Sequence, residues 1–547
     1  MIGPATGFPL GVGEARAELR QAWRERGLHR DISLPQAIAE RIDQSAGRLV
    51  LQTERGRFEY TAQALHAGAM ELAGALHRLG VESGDVVAVQ LPNWPETMLV
   101  TLAVIYAGAA ILPIVPIYGP KEVGFILRQS GAKVFVAPDL WGGVDYRENI
   151  RAAGPLPQLA HTVIIGDAPA GMLSWSQVEQ LADPQFTLPA MDPEAVCVIL
   201  YTSGTTSDPK GVLHTHQTIQ AMLDHTRSPA NQGQESSTLG SPSTGHIGQI
   251  IQLFVVVLQG GQVAGMDRWS PDIAAELVET YCATRMGGAP VFLYGLLAAA
   301  ASSGRDVSSL REVRLGSTAI MPSDIERWEE LGIVGYRSYG STEHPFATGS
   351  WAEDTLALRA YTDGRPAPGT EIRIVDEKGN DLPLGSAGEV VLRGPQQFLG
   401  YLDPQLNADH YLPGGWFTTG DIGRLDADGA LTITDRKKDI IIRGGENISA
   451  KDVEDTLARL PWIIECAAVA MPDPRLGEQV CAFAIVSDLE AATLEAIRAH
   501  FATSGMAKPK TPARLVLVPD FPRTATGKIK KFELREQLRR EIDLGST

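Results

Sequence analysis

Short runs rich in Val and Ile alternate with helical periodicities along most of this 547-residue chain, and that alternation restricts the folds open to it. DVVAVQL (85–91), KVFVAP (133–138), HTVIIG (161–166) and AVCVIL (195–200) have strand length, and patterns such as TAQALHAGAMELAGALHRLG (61–80) lie between several of them. The alternation predicts α/β layers with a parallel-rich sheet. From about residue 364 the texture changes. TEIRIVDEKGNDLPLGSAGEVVLRG reads as short strands joined by turns, which predicts a small β-rich subdomain over about 364–435. A second change comes at TDRKKDIIIRGGENISAKDVEDTLARL: a charged cluster, a strand, a double Gly, and a helix that Ser449 can cap. The expected organisation is an N-terminal domain over 1–437 and a small α+β C-terminal domain over 438–547.

The formal net charge is −17, which argues against a nucleic-acid partner. MLVTLAVIYAGAAILPIVPIY (98–118) is long and apolar enough for a membrane helix, but Gly108, Pro113 and Pro116 interrupt it. A buried helix running into a strand is expected instead. Cys197, Cys282, Cys466 and Cys481 form no CxxC and read as buried, reduced thiols. The N-terminus MIGPATGFPLGVGEARAELR has no signal-peptide pattern, so a cytoplasmic location is expected.

YTSGTTSDPKG (201–211) follows the AVCVIL run. Glycine-exposed N–H groups, hydroxyls and a lysine suit phosphate oxygens. Walker A spacing fails, because Lys210 stands between Pro209 and Gly211, so a P-loop NTPase is disfavoured.

Four later segments accompany this loop: RSYGSTEH (337–344), GGWFTTGDIGRLDADGALTITDRKKD (414–439), IIIRGGENISAKDVE (440–454) and PRTATGKIKKFELRE (522–536). LPNWPETMLVTLAVIYAG and GEVVLRGPQQFLGYLDP (388–404) add weaker matches. In this order the segments resemble the motifs of the adenylate-forming superfamily, which includes acyl-CoA synthetases, peptide-synthetase adenylation domains and luciferases. The resemblance covers nearly the whole chain.

The resemblance implies attack of a carboxylate on the α-phosphate of ATP, giving acyl-AMP and pyrophosphate by positioning and charge neutralisation. Thr202, Ser203, Gly204, Thr205, Thr206 and Lys210 would hold the β- and γ-phosphates. Ser317, Thr318, Ala319, Ser338, Tyr339, Gly340, Ser341, Thr342 and Ile433 would surround the nucleotide, with the Tyr339 ring on adenine. Asp421 would accept from the ribose hydroxyls, and Arg436 would add a contact to ribose or phosphate. Glu343 would help hold Mg²⁺, and Lys528 would bridge the α-phosphate and the reacting carboxylate.

In a second step the C-terminal domain would turn about Lys438 and the acyl group would pass to coenzyme A. Gly444 and Gly445, with Asn447, would line the pantetheine tunnel. The chain departs from the family pattern at Ser207, where Gly is common, at Ser317 and Thr318, where a Gly pair is common, and at Ile442, where some ligases carry Lys.

The acyl pocket would be built from 241–254, 286–297 and 314–320, including His246, Ile247, Gly288 and Gly316. Gly245, Gly248, Gly287, Gly288 and Ala289 would leave room for a bulky acid, so a hydrophobic medium-chain, alicyclic or aryl acid is expected. His246 would either approach the carboxylate or pack as a neutral core residue. His214 and His216 read as loop and helix-start residues rather than metal ligands. A carrier protein acting in trans is the alternative acceptor to coenzyme A, and the protein is expected as a monomer or homodimer.

Overall fold

The computed structural model describes residues 6–202, 209–225, 237–240, 244–288, 290–316, 320, 322–443, 446–504, 506–523 and 528–545. They form two compact units. The first comprises the described residues within 6–202, 209–371 and 393–416; the second comprises those within 372–392 and 417–545.

The first unit is mixed α/β with two large sheets. One runs, in spatial order, through the strands Arg365–Pro366, Thr348–Gly349, Val334–Tyr339, Glu312–Leu315, Arg285–Gly288, Ser237–Leu239, Gln262–Met266, Arg48–Thr53 and Gly56–Thr61. The other runs Gly400–Tyr401, Lys210–Thr215, Val196–Thr202, Ala110–Pro113, Val86–Val89, Val134–Pro138, His161–Ile165 and Leu173–Ser174. The central pairs of both are parallel; antiparallel pairs close both edges of the first sheet and the Gly400–Tyr401 edge of the second, while Leu173–Ser174 pairs parallel with His161–Ile165 at its other edge. Val86–Val89, Ala110–Pro113 and Val134–Pro138 are buried along their whole length, which is why they read as unbroken apolar runs rather than as alternation.

Helix Ala62–Arg78 starts where the Thr61 hydroxyl accepts from the Ala64 N–H at 3.1 Å, and it buries Leu65, Ala69, Leu72 and Leu76. The apolar 98–118 stretch becomes helix Pro95–Tyr106 followed by strand Ala110–Pro113. Val100, Leu102, Ala103, Val104, Ile105 and Tyr106 are at most 1% exposed, so the helix is apolar all round because protein surrounds it. Among the described residues no helix is long and apolar enough to cross a membrane.

In the second unit, strand Trp416–Leu425 pairs antiparallel with Gly388–Arg393 and with Leu431–Arg436. A further sheet holds Glu446–Ile448, Ile441–Arg443, Gly477–Val486 and Ile463–Asp473, with Arg514–Leu517 beside Gly477–Val486. Helix Lys531–Gly545 buries Leu534 and Leu538 against Phe483 and Phe521. The Ser449 hydroxyl caps helix Ala450–Leu457 by accepting from the Asp452 N–H at 3.0 Å, and it also donates to the Thr434 carbonyl at 3.3 Å.

Lys437 and Lys438, on either side of the expected boundary, both lie in the second unit. The Ser449 bond and the Lys451 ammonium, 3.5 Å from the Ile433 carbonyl, tie strand Leu431–Arg436 to helix Ala450–Leu457 and its cap. The thiol expectation needs one correction. All four cysteines are free, but Cys282 is exposed and Cys466 half-buried; only Cys197 and Cys481 are fully covered. Cys282 ends helix Pro271–Tyr281 in the left-handed conformation, φ 49°, which turns it outward at the helix terminus.

Candidate active site

Ser203, Gly204, Thr205, Thr206 and Ser207 lie outside the described residues, and a strand lies on each side of them. Val196–Thr202 and Lys210–Thr215 pair antiparallel, with Thr202 opposite Lys210. A strand, not a helix, therefore follows the loop, and helix His216–Leu223 starts only later. This is the architectural difference from a P-loop, where a helix N-terminus meets the phosphates.

On its other edge the lysine-bearing strand pairs with Gly400–Tyr401, Val212 facing Tyr401. That brings together residues remote in the chain. The Lys210 ammonium lies 3.0 Å from His410 Nε2 and 5.3 Å from the centre of the Tyr401 ring. The Tyr401 hydroxyl donates to Glu343 Oε1 at 2.9 Å, and the Phe398 N–H donates to the Glu343 carbonyl at 2.8 Å. Burial, and then the adjacent Glu343 carboxylate, push the Tyr401 hydroxyl far above the usual phenol range, so it stays a donor. Tyr401 and His410 are not among the residues that the sequence motifs single out. The Gly-Tyr in FLGYLDP is a usable signal for the first; nothing local marks the second.

The segment RSYGSTEH (337–344) is braced by a buried histidine. His214 is fully buried and donates from Nε2 to the Thr342 carbonyl at 2.7 Å, while Nδ1 faces the Thr218 hydroxyl at 3.1 Å. Burial pushes its pKa down to about 4, against the opposing pull of that carbonyl, so the ring is neutral. His214 is thus a strand residue and not the loop residue expected, whereas His216 does open its helix. Ser338 and Tyr339 end the strand Val334–Tyr339, pairing with Gly349 and Thr348. Gly340 admits no side chain, because a Cβ there would lie 2.6 Å from the Phe346 backbone nitrogen. Phe346 itself holds φ 49°. The Ser341 hydroxyl accepts from the His344 N–H at 3.2 Å, tightening the turn that carries Thr342 and Glu343.

Gly288, Gly316 and Tyr339 fall at or just past the carboxyl ends of three neighbouring parallel strands. In open α/β sheets that edge is where ligands bind. A Cβ on Gly316 would sit 3.3 Å from the Ser338 hydroxyl, so these two are in direct proximity. Ser317, Thr318, Ala319 and Ala289 lie outside the described residues. His246 and Ile247 form the N-cap and first residue of helix Ile247–Gln259. The small residues do not all leave space. Among the described residues, no neighbouring group comes within 4 Å of a Cβ position on Gly248, and Gly287 meets only the Arg314 carbonyl at 3.7 Å. Gly245, at φ 81°, is instead packed against the Val115 backbone, 2.6 Å from a Cβ position. It is a close-approach glycine and adds no room.

Asp421, Arg436, Lys438 and Lys528 lie in the second unit. Asp421 and Arg436 face each other across an antiparallel pair, and Arg436 Nε lies 3.2 Å from Asp421 Oδ1. Lys528 is half-buried, and desolvation, followed by repulsion from Arg436, pushes its pKa down to about 8, with Asp421 opposing and Lys438 adding to the fall. Lys438 lies in the short 3₁₀ turn Lys437–Asp439, and Ile433 pairs with Gly423. Two ion pairs hold the neighbourhood: Lys531 to Glu454 at 2.8 Å and Arg535 to Asp439 at 2.8 Å. Ile442 is 54% exposed, with its N–H donating to Glu478 Oε2 at 2.7 Å. Gly444 and Gly445 lie outside the described residues, and of Asn447 only the backbone is described, in strand Glu446–Ile448.

Residues 38–402 match the family model of AMP-binding enzymes, and residues 452–528 match that of the AMP-binding enzyme C-terminal domain. The medium-chain fatty-acid–CoA ligase of Escherichia coli is 36% identical over 532 residues, covering 96% of this chain and 93% of that protein. A 7a-methyl-1,5-dioxo-octahydro-1H-indenyl propanoyl:CoA ligase of Mycobacterium tuberculosis is 33% identical over 519 residues, covering 92% of this chain and 98% of that protein. Among solved structures, the anthranilate CoA ligase AuaEII in complex with anthranoyl-AMP superposes with a TM-score of 0.80 at 26% identity, over 94% of this chain and 98% of that one.

Proposed function

Since the chain belongs to the AMP-binding enzyme family, we propose that it is an acid–thiol ligase that activates a hydrophobic carboxylic acid with ATP and passes the acyl group to coenzyme A. In the first step a carboxylate oxygen bonds to the α-phosphorus of ATP and pyrophosphate leaves, giving acyl-AMP. In the second the thiol sulfur bonds to the acyl carbon, the acyl–oxygen bond breaks, AMP departs with its electron pair, and the thiol proton goes to solvent.

The observation that carries this reading is the placement of a lysine and a carboxylate on one tyrosine: Lys210 against the Tyr401 ring and Glu343 on its hydroxyl. A cation for phosphate oxygens and a carboxylate for a hard metal ion are what a triphosphate site needs. Mg²⁺ is bound through one or two carboxylates with substrate phosphates, and Glu343, which accepts from the Tyr401 hydroxyl, would supply such a ligand. When bound, the ion neutralises phosphate charge. Asp421 takes the ribose hydroxyls and Arg436, released from it, the ribose or phosphate; Lys528 takes the α-phosphate and the reacting carboxylate. Lys438 is the hinge about which 438–547 turns between steps, and Gly444, Gly445 and Asn447 line the thiol's path. The free cysteines fit a reducing, cytoplasmic setting for a monomer or homodimer.

Relatives act on medium-chain fatty, indenyl-propanoic and anthranilic acids, and Gly248 and Gly287 leave space on the side assigned to the acyl group, whereas a Cβ on Gly288 would meet the Phe292 ring at 3.0 Å. The acid is therefore medium-chain, alicyclic or aryl. The test is acid-dependent exchange of labelled pyrophosphate into ATP over a panel of such acids, followed by AMP release with coenzyme A or with a purified carrier protein. Exchange with at least one acid and turnover with coenzyme A are expected. No exchange with any acid, or turnover with the carrier protein alone, overturns the assignment.

A further inference from the structure

We propose that His410 is a positioning residue for Lys210 and so belongs to the phosphate-binding apparatus. The inference rests on the adenylation reading above and names a component of that same site.

Lys210 Nζ and His410 Nε2 are 3.0 Å apart, although 200 residues separate them in the chain. An ammonium has three donors and no acceptor, so the imidazole must accept on Nε2 and carry its proton on Nδ1. The ammonium also lies 5.3 Å from the centre of the Tyr401 ring, within cation–π range, and the Tyr401 and His410 rings are themselves 5.3 Å apart. One N–H is thus spent on His410 and the ring face takes part of the charge. Among the described residues no other hydrogen-bond acceptor engages the ammonium, which leaves donors for an anion.

The segment that carries His410 is fixed firmly enough to serve as a mount. Arg16 is 6% exposed and donates to the Tyr411 hydroxyl at 2.9 Å and to the Phe398 carbonyl at 2.6 Å. The Arg16 guanidinium also lies 4.8 Å from the centre of the Tyr411 ring. The Asn407 side chain accepts from the Tyr401 N–H at 2.9 Å and donates to the Thr6 carbonyl at 2.6 Å. His410 therefore sits between two anchored positions, Asn407 and Tyr411.

A lysine stem has large rotamer freedom, and fixing it before the anion arrives removes that entropic penalty from the binding step. His410 holds Lys210 in the orientation that a polyphosphate requires, next to the tyrosine that orients Glu343. The opposite role, in which His410 parks the lysine away from phosphate, predicts tighter binding when the ring is removed.

The test uses the full chain and two probes, inorganic tripolyphosphate and AMP, titrated by calorimetry. His410→Ala should weaken tripolyphosphate binding about tenfold and leave AMP binding unchanged. His410→Gln, whose amide oxygen can accept the Lys210 N–H, should recover most of the loss. In a Lys210→Ala background, His410→Ala should add nothing further. The proposal is overturned by unchanged or tighter tripolyphosphate binding in His410→Ala, by a glutamine variant no better than the alanine one, or by wild-type protein that does not bind tripolyphosphate. Adenylation is read separately: tripolyphosphate binding without acid-dependent exchange would remove the functional reading and leave the role of His410 standing.

Discussion

The Tyr401 hydroxyl donates to Glu343 Oε1 at 2.9 Å across 58 residues of chain. The carboxylate of the YGSTE segment is therefore oriented by a residue outside that segment. Tyr401→Phe keeps the ring beside Lys210 and removes only this bond. The Mg²⁺ concentration for half-maximal pyrophosphate exchange should rise roughly ten- to a hundredfold, in keeping with the value of a hydrogen bond to a charged group, with the acid KM unchanged. Initial rates over a Mg²⁺ series decide it, and an unshifted curve would show that the hydroxyl does not orient Glu343.

Gly340 and Phe346 meet backbone to backbone. A Cβ on residue 340 would stand 2.6 Å from the Phe346 nitrogen, and Phe346 is already at φ 49°. Gly340→Ala forces that turn apart at a cost of about 1–3 kcal/mol. A lower denaturation midpoint and an ATP KM raised by more than tenfold are the expected results. A variant matching wild type in both would mean that the turn yields freely.

The depressed pKa of Lys528 makes the first step sensitive to alkali. Burial and Arg436 disfavour the ammonium, so the cation is full below about pH 8 and is lost as pH rises through that value. If the cation acts on the α-phosphate, kcat/KM for exchange should fall tenfold per pH unit above about 8, since that ratio reports the free enzyme. Lys528→Ala should lose 10²- to 10³-fold, roughly, in adenylation while still binding ATP in an equilibrium titration. Adenylation that survives the substitution would remove Lys528 from the chemistry.

His214 predicts acid sensitivity of the first unit. Its folded pKa, about 4, is below the ordinary 6.5, so between those values the unfolded chain binds the extra proton and the folded chain does not. Its contribution is whole above pH 6.5 and is lost as pH falls towards 4, at about 1.4 kcal/mol per pH unit. His344, pushed down to about 3 by burial, acts in the same direction. Urea unfolding of wild type and His214→Gln at pH 7.5, 6 and 5 should show a shallower pH slope in the variant. Parallel slopes would mean that His214 is not held neutral by burial.

The α/β architecture was legible because its determinants are local. Fully buried parallel strands require unbroken Val/Ile runs, and helix Ala62–Arg78 requires apolar residues on one face, so both left a pattern that could be read directly. The same locality fails at Cys282, where exposure follows from a left-handed helix end, and at Gly245, where apparent spare volume is filled by Val115. A small residue in a sequence says that something lies close, or that nothing does, and only the neighbours distinguish the two.

By itself the sequence determined which segments form strands and helices, and it carried the loop, Glu343 and Lys528 as a set of chemically meaningful residues in order. Tertiary structure alone decided how the members of that set are held. Tyr401 reaches Glu343, and His410 reaches Lys210, because strand Gly400–Tyr401 pairs with Lys210–Thr215. Asp421 faces Arg436 because their strands run antiparallel in that register. A hydrogen bond needs two groups within about 3 Å and aligned, and for residues far apart in the chain that proximity is set by strand register and packing, not by any spacing that the sequence displays.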